Sequence, residues 1–297
     1  MIRIRNYRVE RGGFLADIPE LILSGKKNFV IGKNGSGKTT LLQSFAGIIE
    51  SSGVFEVNGE DLSELPPERR NIGYIPQDLL LFGKMTVESN LLASVRYGKG
   101  DAEIYNELVN KMHLESLLSK KATEISFGQA QKVAIARAII SKPKLVLMDE
   151  PFSFQDEISR FSLISMIDEL SEKYGFDYLY ATHNSRDLET GFSSLVSIDG
   201  GRVIEVANSI PEVRHFRTLS LMDYRNLAFI NDRYYLLNPQ SLYFNDIEGS
   251  EFDVIGNGST NYVRFKIGEN YFFSSINREP TERFVKIDLK NAQEIEY

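Results

Sequence analysis

A glycine-rich octapeptide between an apolar segment and a helical pattern constrains this chain more than any other feature. Residues 28–31 have the composition of a short buried strand, and apolar residues recur at helical spacing from Leu41 to Ile49. The octapeptide between them matches the P-loop pattern, in which backbone N–H groups wrap phosphate oxygens. Together with the next residue, the loop consists of Gly32, Lys33, Asn34, Gly35, Ser36, Gly37, Lys38, Thr39 and Thr40.

Three properties of this loop predict nucleotide chemistry. Lys38 is expected to neutralise the charge of the β- and γ-phosphates, and Thr39 to coordinate Mg²⁺. The helix that begins here adds the partial positive charge of its N-terminus, where anions are favoured. The loop therefore predicts nucleotide binding, although it does not identify what the nucleotide is used for.

Length and composition narrow the classes of protein that remain. The 297 residues leave room for one large and one small domain. The net charge of -7 argues against a nucleic-acid partner, whose groove needs a surplus of Lys and Arg. The N-terminus lacks the apolar core of a signal peptide, and every apolar run is far shorter than the ~20 residues that span a bilayer. We therefore expect a cytoplasmic protein that reaches any membrane through a partner.

Polar residues follow two further apolar runs, at 145–148 and 178–181, which predict buried parallel strands. Asp149 suits the role of the Asp on a neighbouring strand that holds Mg²⁺ in P-loop enzymes. Glu150 is expected to act as general base, or to orient the attacking water. His183 is expected to contact the γ-phosphate. The alternatives are a helix-capping pair of carboxylates and a structural histidine.

Other patterns divide the chain into regions. Residues 2–10 and 14–23, split by two glycines, predict a β-hairpin, and residues 86–120 predict helices. Beyond Gly200-Gly201, short aromatic and β-branched runs alternate with turn residues, which predicts a small all-β domain. Its expected strands lie at 227–230, 234–237, 262–267, 271–276 and 284–287.

A second motif carries a family resemblance. Residues 126–138 resemble the signature motif of ABC ATPases, usually Leu-Ser-Gly-Gly-Gln, followed by its arginine-bearing helix. Gln77 is similar to the family's Q-loop glutamine, which by this resemblance joins Thr39 and Asp149 around Mg²⁺. Asp156 is similar to the aspartate of the family's D-loop. The signature residues are Ser126, Phe127, Gly128 and Gln129.

The resemblance covers about residues 1–205 and implies a fold and a mechanism. The implied fold is an α/β P-loop ABC ATPase domain with a mixed sheet core, an antiparallel β-subdomain and a helical subdomain at about 78–140. A barrel-like all-β domain at 206–297 follows it. In the family, each signature motif grips the γ-phosphate of the ATP bound to the opposite subunit. The active unit is therefore expected to be a head-to-tail homodimer that binds two ATP molecules with Mg²⁺.

This sequence departs from the family pattern where the two subunits should meet. Phe127 stands where the signature usually has glycine, and Phe154-Gln155 stand where the D-loop usually has Ala-Leu. Because phenylalanine adopts positive φ less readily than glycine, we expect a locally reshaped dimer interface or slower ATP turnover. Since Glu150 and His183 are both present, we still expect hydrolysis.

The family usually stacks adenine on an aromatic residue of the N-terminal hairpin. Phe14 and Tyr7 are the nearby candidates, and Phe14 is favoured because it follows the glycine turn. The alternative for either ring is simple packing in the core.

Residues 61–74, with Leu81-Phe82 and residues 85–87, resemble importer subunits for sugars, polyamines, iron and oxyanions such as sulfate, molybdate or tungstate. Those subunits carry a C-terminal β-barrel of the TOBE type, and residues 237–242 are loosely similar to the segment that opens it. The short tail favours the small-ion branch. For this tail we favour a structural dimerisation module over a ligand-binding regulator.

The resemblance thus implies the ATP-hydrolysing subunit of an ABC importer. Its expected partners are transmembrane permease subunits, which dock on the helical subdomain and Q-loop region, and an extracytoplasmic solute-binding protein. The subunit is then peripheral on the inner face of the cell membrane. The alternatives are a soluble ABC ATPase acting in DNA repair or translation, and a weakly active regulatory nucleotide-binding protein.

Overall fold

The computed structural model describes residues 1–96, 100–153 and 155–208, together with eight strands between residues 227 and 295. The chain divides into two compact units, Met1–Ile210 and Pro211–Tyr297. The strands of the first unit are Ile2–Arg11 (β1), Phe14–Leu23 (β2), Lys27–Ile31 (β3), Ser51–Val57 (β4), Glu60–Asp61 (β5), Ile72–Ile75 (β6), Leu145–Asp149 (β7), Asp177–Thr182 (β8), Ser194–Asp199 (β9) and Arg202–Ala207 (β10).

The helices of the first unit flank these strands. Short 3₁₀ turns occur at Pro67–Arg69, Glu115–Leu117, Ala122–Glu124 and Ser185–Thr190. The α-helices are Lys38–Phe45 (α1), Val87–Leu91 (α2), Ala93–Arg96 (α3), Ala102–Lys111 (α4), Phe127–Ile140 (α5) and Glu157–Tyr174 (α6).

A six-stranded mixed sheet forms the centre of the first unit, in the order β10-β9-β3-β8-β7-β6. Five of its strands run parallel, and β10 pairs antiparallel with β9. Every residue of β7 and β8 is buried, as expected for parallel strands covered on both faces. Because the carboxyl ends of parallel strands share one edge, Asp149 and Thr182 lie at the same edge as the end of β3.

An antiparallel sheet, β2-β1-β4-β5, packs on α1 and the mixed sheet. The predicted hairpin is its β1–β2 pair, joined at Arg11 and Phe14. Between this sheet and α1, Phe45 stacks on Phe55 at 4.6 Å between ring centroids, and Tyr7 lies 5.4 Å from Phe45. This aromatic cluster fixes the hairpin against the helix that follows the P-loop.

The region between β6 and β7 is helical, as predicted, and contains α2 to α5. Helix α2 begins after Thr86, whose side chain accepts a hydrogen bond from Ser89 N. Helix α4 begins after Asp101, which accepts from Glu103 N and Ile104 N. These caps satisfy N–H groups that a helix start otherwise leaves unpaired. Among the described helices, each is too short or too polar to cross a bilayer.

The described strands of the second unit pair antiparallel in three small sheets. Four of the five predicted strands coincide closely with observed ones. Of the fifth, 284–287, only the last two residues are described. The strands are Leu227–Ile230, Arg233–Leu236, Leu242–Tyr243, Phe252–Asn257, Thr260–Ile267, Asn270–Ile276, Lys286–Ile287 and Gln293–Ile295.

Candidate active site

The P-loop leaves the end of β3 and enters α1, whose first residue is Lys38. Gly35 and Gly37 adopt positive φ angles of 81° and 103°, a conformation that residues with a Cβ atom rarely adopt. At Gly37 a Cβ atom would also lie 1.9 Å from the ring of Phe14. At Gly32 it would lie 2.4 Å from Ser36 Oγ. The path of the loop therefore depends on these glycines.

A cavity of about 560 Å³ opens against this loop. Its walls come from the hairpin, the P-loop, the Q-loop segment and the ends of β7 and β8, which are far apart in the sequence. The volume suits a small-molecule site, for which about 300–1,000 Å³ is usual. The predicted site residues that line it are Phe14, Asn34, Gly35, Gly37, Lys38, Thr39, Thr40, Gln77, Glu150 and His183.

Lys38 holds a buried positive charge at the centre of the loop. Its Nζ donates to the carbonyl oxygens of Gly32 at 2.8 Å and Lys33 at 3.2 Å. The same Nζ lies 3.1 Å from Glu150 Oε1. Because the backbone carbonyls orient the ammonium group, the cation is held where phosphate oxygens are expected.

The predicted Mg²⁺ ligands lie beside Lys38. Thr39 Oγ1 donates to Asp149 Oδ1 at 3.1 Å, and Tyr74 Oη to Asp149 Oδ2 at 3.4 Å. Burial raises the pKa of Asp149, and the Glu150 charge adds to the rise, while the Thr39 hydrogen bond and Lys38 oppose it. A hydroxyl and a carboxylate oxygen suit Mg²⁺, which commonly takes one or two protein ligands with phosphates and water. The donor set therefore fits Mg²⁺.

Glu150 connects the P-loop lysine to the histidine after β8. Its Oε2 lies 2.7 Å from His183 Nδ1, while its Oε1 faces Lys38. Glu150 has a φ of 48°, which is unusual for a residue with a Cβ atom and is typical of functional sites. The two predicted catalytic residues are therefore in direct contact, on one wall of the cavity.

A buried network behind His183 was not predicted from the sequence. Thr182 Oγ1 donates to Asp187 Oδ2 at 2.7 Å and accepts from Asn184 N at 2.9 Å. Asp187 also pairs with Arg160 of α6, whose Nε lies 2.5 Å from Asp187 Oδ1. Burial raises the pKa of Asp187, and the Thr182 hydrogen bond and Arg160 oppose that rise. The network fixes the residues on both sides of His183.

The two adenine candidates differ in their environment. The Phe14 ring covers Gly37 and lines the cavity. Tyr7 is buried in the core, where its Oη donates to Ser51 Oγ at 2.8 Å. Only Phe14 is thus brought to the P-loop, and for Tyr7 the alternative of core packing is the correct one.

The signature residues begin α5. Ser126 caps the helix, with its Oγ accepting from Gln129 N and its N–H donating to Gln129 Oε1. Gly128 follows Phe127 in the first turn. Phe127 is helical and is not one of the described residues with positive φ, so the expected backbone penalty at this position is wrong. The difference between Phe127 and the glycine usual in the family therefore lies in the side chain and not in the backbone.

Phe127 presents its ring at the surface, with 41% of the residue exposed. It lines a second cavity of about 490 Å³, which shares Thr39 and Gln77 with the first. Asp149 and Tyr74 also line this second cavity, so Phe127 lies near two residues of its own chain, Thr39 and Asp149, that are predicted to bind Mg²⁺.

A turn begins at Glu150 and is closed by a hydrogen bond from Ser153 N to the Glu150 carbonyl oxygen, and we name residues 150–153 the Glu150 turn. The predicted D-loop continues from this turn to Asp156. Asp156 is the N-cap of α6, and its side chain accepts a hydrogen bond from Ser159 N. Phe154 lies outside the described residues. Gln155 contacts the signature helix through Gln131, a contact that the sequence did not predict.

Comparison with known sequences and structures places these features in a family. A family model described as ABC transporter matches residues 17–153. Curated relatives include the molybdate/tungstate import ATP-binding protein WtpC of Thermococcus kodakarensis, 36% identical over 65% of this chain and 60% of that protein. The WtpC protein of Archaeoglobus fulgidus is 32% identical over 59% of this chain and 75% of that protein. The spermidine/putrescine import ATP-binding protein PotA of Fusobacterium nucleatum is 35% identical over 65% of this chain and 52% of that protein.

Solved structures agree with the sequence matches. One described as the ATP-binding subunit of an ABC transporter has 28% identity and a TM-score of 0.63, covering 75% of this chain and 94% of that one. A nucleotide-free ATP-binding cassette from an ABC transporter has 25% identity and a TM-score of 0.61, covering 71% and 92%. The chain spans 60% and 58% of the first two curated relatives it matches. By fold, motifs and relatives, this chain belongs to the ABC transporter family of ATP-binding proteins.

Proposed function

We propose that this chain binds ATP with Mg²⁺, hydrolyses it, and couples the reaction to solute import by separate transmembrane subunits. The observation that carries the proposal is the Glu150 carboxylate, held between Lys38 and His183 on the wall of the P-loop cavity. A helix-capping pair of carboxylates has no need of such contacts. The curated relatives, which are named as import ATP-binding proteins, and the similar solved ABC transporter subunits support the same function.

Each residue then has a role in phosphoryl transfer. Lys38 neutralises the β- and γ-phosphates, and Phe14 stacks on the adenine. Glu150 accepts the proton of the attacking water or orients it, and His183 contacts the γ-phosphate and holds Glu150. Bound Mg²⁺, held by Thr39, Asp149 and Gln77, would neutralise charge on the phosphate oxygens. Water attacks the γ-phosphorus, the bond to the β–γ bridging oxygen breaks, and ADP and phosphate leave.

We propose that two copies of the chain close on two ATP molecules. The exposed start of α5, with Ser126, Phe127, Gly128 and Gln129, then grips the γ-phosphate bound to the opposite copy. The Ser126 cap supports this role because it orders the helix start before any ligand arrives. Asp156, the predicted D-loop aspartate that caps α6, is proposed to lie in the same interface between the two copies.

The permease subunits are proposed to dock beside the Q-loop. Leu80, Phe82 and Met85 follow Gln77 and are exposed, at 60%, 54% and 44%. Arg137 of α5 donates to the carbonyl oxygen of Leu80 at 2.9 Å, which fixes this segment. Apolar residues on an ordered surface are suited to a protein partner. An extracytoplasmic solute-binding protein completes the proposed importer, and this subunit is peripheral on the inner face of the membrane.

For the solute we favour a small oxyanion such as molybdate or tungstate, because two of the relatives named above are molybdate/tungstate import proteins. The second unit, which begins at Pro211, a few residues beyond the boundary expected at 205–206, is proposed to be a TOBE-like dimerisation module. Uptake of labelled molybdate by vesicles with the complete importer tests the solute, with spermidine and Fe³⁺ as competing alternatives.

The direct test of the proposed function is Mg²⁺-dependent phosphate release by the purified chain, alone and with its permease subunits. Lys38→Met removes the charge in the loop and is expected to abolish ATP binding, whereas Lys26→Met, at a surface ion pair with Glu172, leaves it intact. No hydrolysis by the unmodified protein under either condition would favour the regulatory alternative instead.

Docking has its own test. Phe82→Ser is expected to lower solute uptake by the complete importer while the ATPase activity of the isolated subunit is kept. Ile48→Ser changes a residue of similar exposure, 55%, outside this surface and serves as the matched control. Equal uptake by the two variants would contradict the docking proposal.

A further inference from the structure

Two glutamines link three segments of the active site. Gln131 of α5 is fully buried, and its Nε2 donates to the carbonyl oxygen of Pro151 at 2.5 Å. Its Oε1 accepts from Gln155 Nε2 at 2.5 Å. We name this chain of contacts, Gln155 to Gln131 to Pro151, the amide relay.

The direction of the relay is fixed by chemistry. Because the Pro151 carbonyl can only accept, Gln131 must turn its NH₂ group toward it. The oxygen of Gln131 then faces Gln155, which must supply a donor. In this arrangement the donor that satisfies the oxygen of the buried Gln131 amide is Gln155. Leucine, the usual residue of the family at this D-loop position, has no donor.

The relay joins the start of the signature helix to the turn that bears Glu150. Gln131 lies in α5 within two turns of Ser126. Pro151 directly follows Glu150, whose positive φ is held by a bond from Glu150 N to Ala181 O and by one from Ser153 N to Glu150 O. A Cβ atom at Gly128 would lie 3.3 Å from Gln155 Nε2, so the D-loop amide also lies close to the signature turn.

We propose that Gln155 is a positioning residue that, through Gln131, couples the signature helix to the Glu150 turn. The inference rests on the proposed function, because in the closed dimer the signature helix of a chain contacts one ATP while its Glu150 acts on the other. The relay then transmits the position of the signature helix at one site to the catalytic carboxylate of the second site. Turnover at the two sites therefore becomes cooperative.

The test is steady-state ATP hydrolysis by the full chain with Gln155→Met, which keeps the length of the side chain and removes its donor. We expect kcat to fall about tenfold, equal to about 1.4 kcal/mol in the barrier. We expect KM to change less than about twofold and the Hill coefficient to fall toward 1. Ile164→Val, a buried residue of α6 away from the relay, is the control for lost stability.

Several outcomes separate the explanations. If Gln155→Met loses stability as Ile164→Val does but keeps the Hill coefficient and kcat of the unmodified protein, Gln155 is merely structural and the inference is overturned. An unmodified protein that hydrolyses ATP with a Hill coefficient of 1 also overturns it, while the proposed function stands. A protein that does not hydrolyse ATP at all refutes the proposed function first, and the coupling with it.

Discussion

Glu150→Gln removes one charge and one proton acceptor from the active site and changes little else. The side chain keeps its length, and its remaining oxygen can still accept from Lys38, 3.1 Å from Glu150 Oε1 in the structure. The contact with His183 at 2.7 Å can be kept in one tautomer of the imidazole. Loss of a general base usually costs about 10²–10⁴-fold in rate. This range corresponds to about 2.7–5.4 kcal/mol in the activation barrier.

ATP binding is expected to respond in the opposite direction. In the structure Lys38 Nζ contacts both the Glu150 carboxylate and a P-loop carbonyl oxygen. Because glutamine at position 150 carries no negative charge, more of the positive charge of Lys38 is left to attract phosphate. We therefore expect the Kd for ATP with Mg²⁺ to stay the same or to decrease in Glu150→Gln. Phosphate release at saturating ATP measures the rate, and equilibrium binding of a fluorescent ATP analogue measures the affinity. Glu115→Gln, at an exposed 3₁₀ turn, is the matched control.

The reasoning is refuted if Glu150→Gln keeps more than about a tenth of the unmodified rate, because a general base contributes at least about a hundredfold. A large loss of ATP affinity would equally contradict the assigned role, since it would make Glu150 a binding residue.

Three further substitutions test other parts of the site. Phe14→Ala is expected to raise the Kd for ATP about tenfold, since aromatic stacking contributes about 0.5–1.5 kcal/mol beyond the buried area. The affinity for inorganic triphosphate, which has no adenine, should stay unchanged. Equal losses of affinity for both ligands would contradict adenine stacking. Thr39→Val keeps the shape of the side chain and should raise the Mg²⁺ concentration needed for half-maximal hydrolysis, whereas an unchanged Mg²⁺ dependence would exclude Thr39 as a ligand. Arg160→Met leaves the buried Asp187 without its cation and should lower the free energy of unfolding by about 3–5 kcal/mol. As the control, Arg5→Met removes an exposed pair with Glu56 and should lower it by less than about 1 kcal/mol. Equal losses of unfolding free energy in denaturant would contradict a stabilising role for the buried pair.

Much of the fold was predictable because its signals are local. The P-loop at 32–39 and the apolar strands at 145–148 and 178–181 each depend on neighbouring residues in the sequence. Parallel strands then place their carboxyl ends at one edge, so the proximity of Glu150 and His183 follows from the topology. Their direct contact at 2.7 Å agrees with that expectation.

The remaining features depend on contacts between distant segments, which single-sequence patterns do not encode. The pair of Arg160 and Asp187 joins α6 to the turn after β8, and nothing near either residue indicates its partner. The amide relay likewise depends on how α5 lies against the Glu150 turn. At Phe127 the family's glycine suggested a backbone requirement, but Phe127 is the first residue of α5, directly after the Ser126 cap, and its backbone is helical.

Dimer closure around ATP is the central claim, and the molecular mass of purified Glu150→Gln tests it most directly. Light scattering or sedimentation is measured with Mg²⁺ alone and with Mg²⁺ and ATP. We predict that ATP with Mg²⁺ converts the protein to a compact dimer, or compacts a dimer already held by the second unit, because each signature helix can then reach the opposite γ-phosphate. Bound ATP with no change in mass or sedimentation would contradict the account, and would indicate that Phe127 prevents closure.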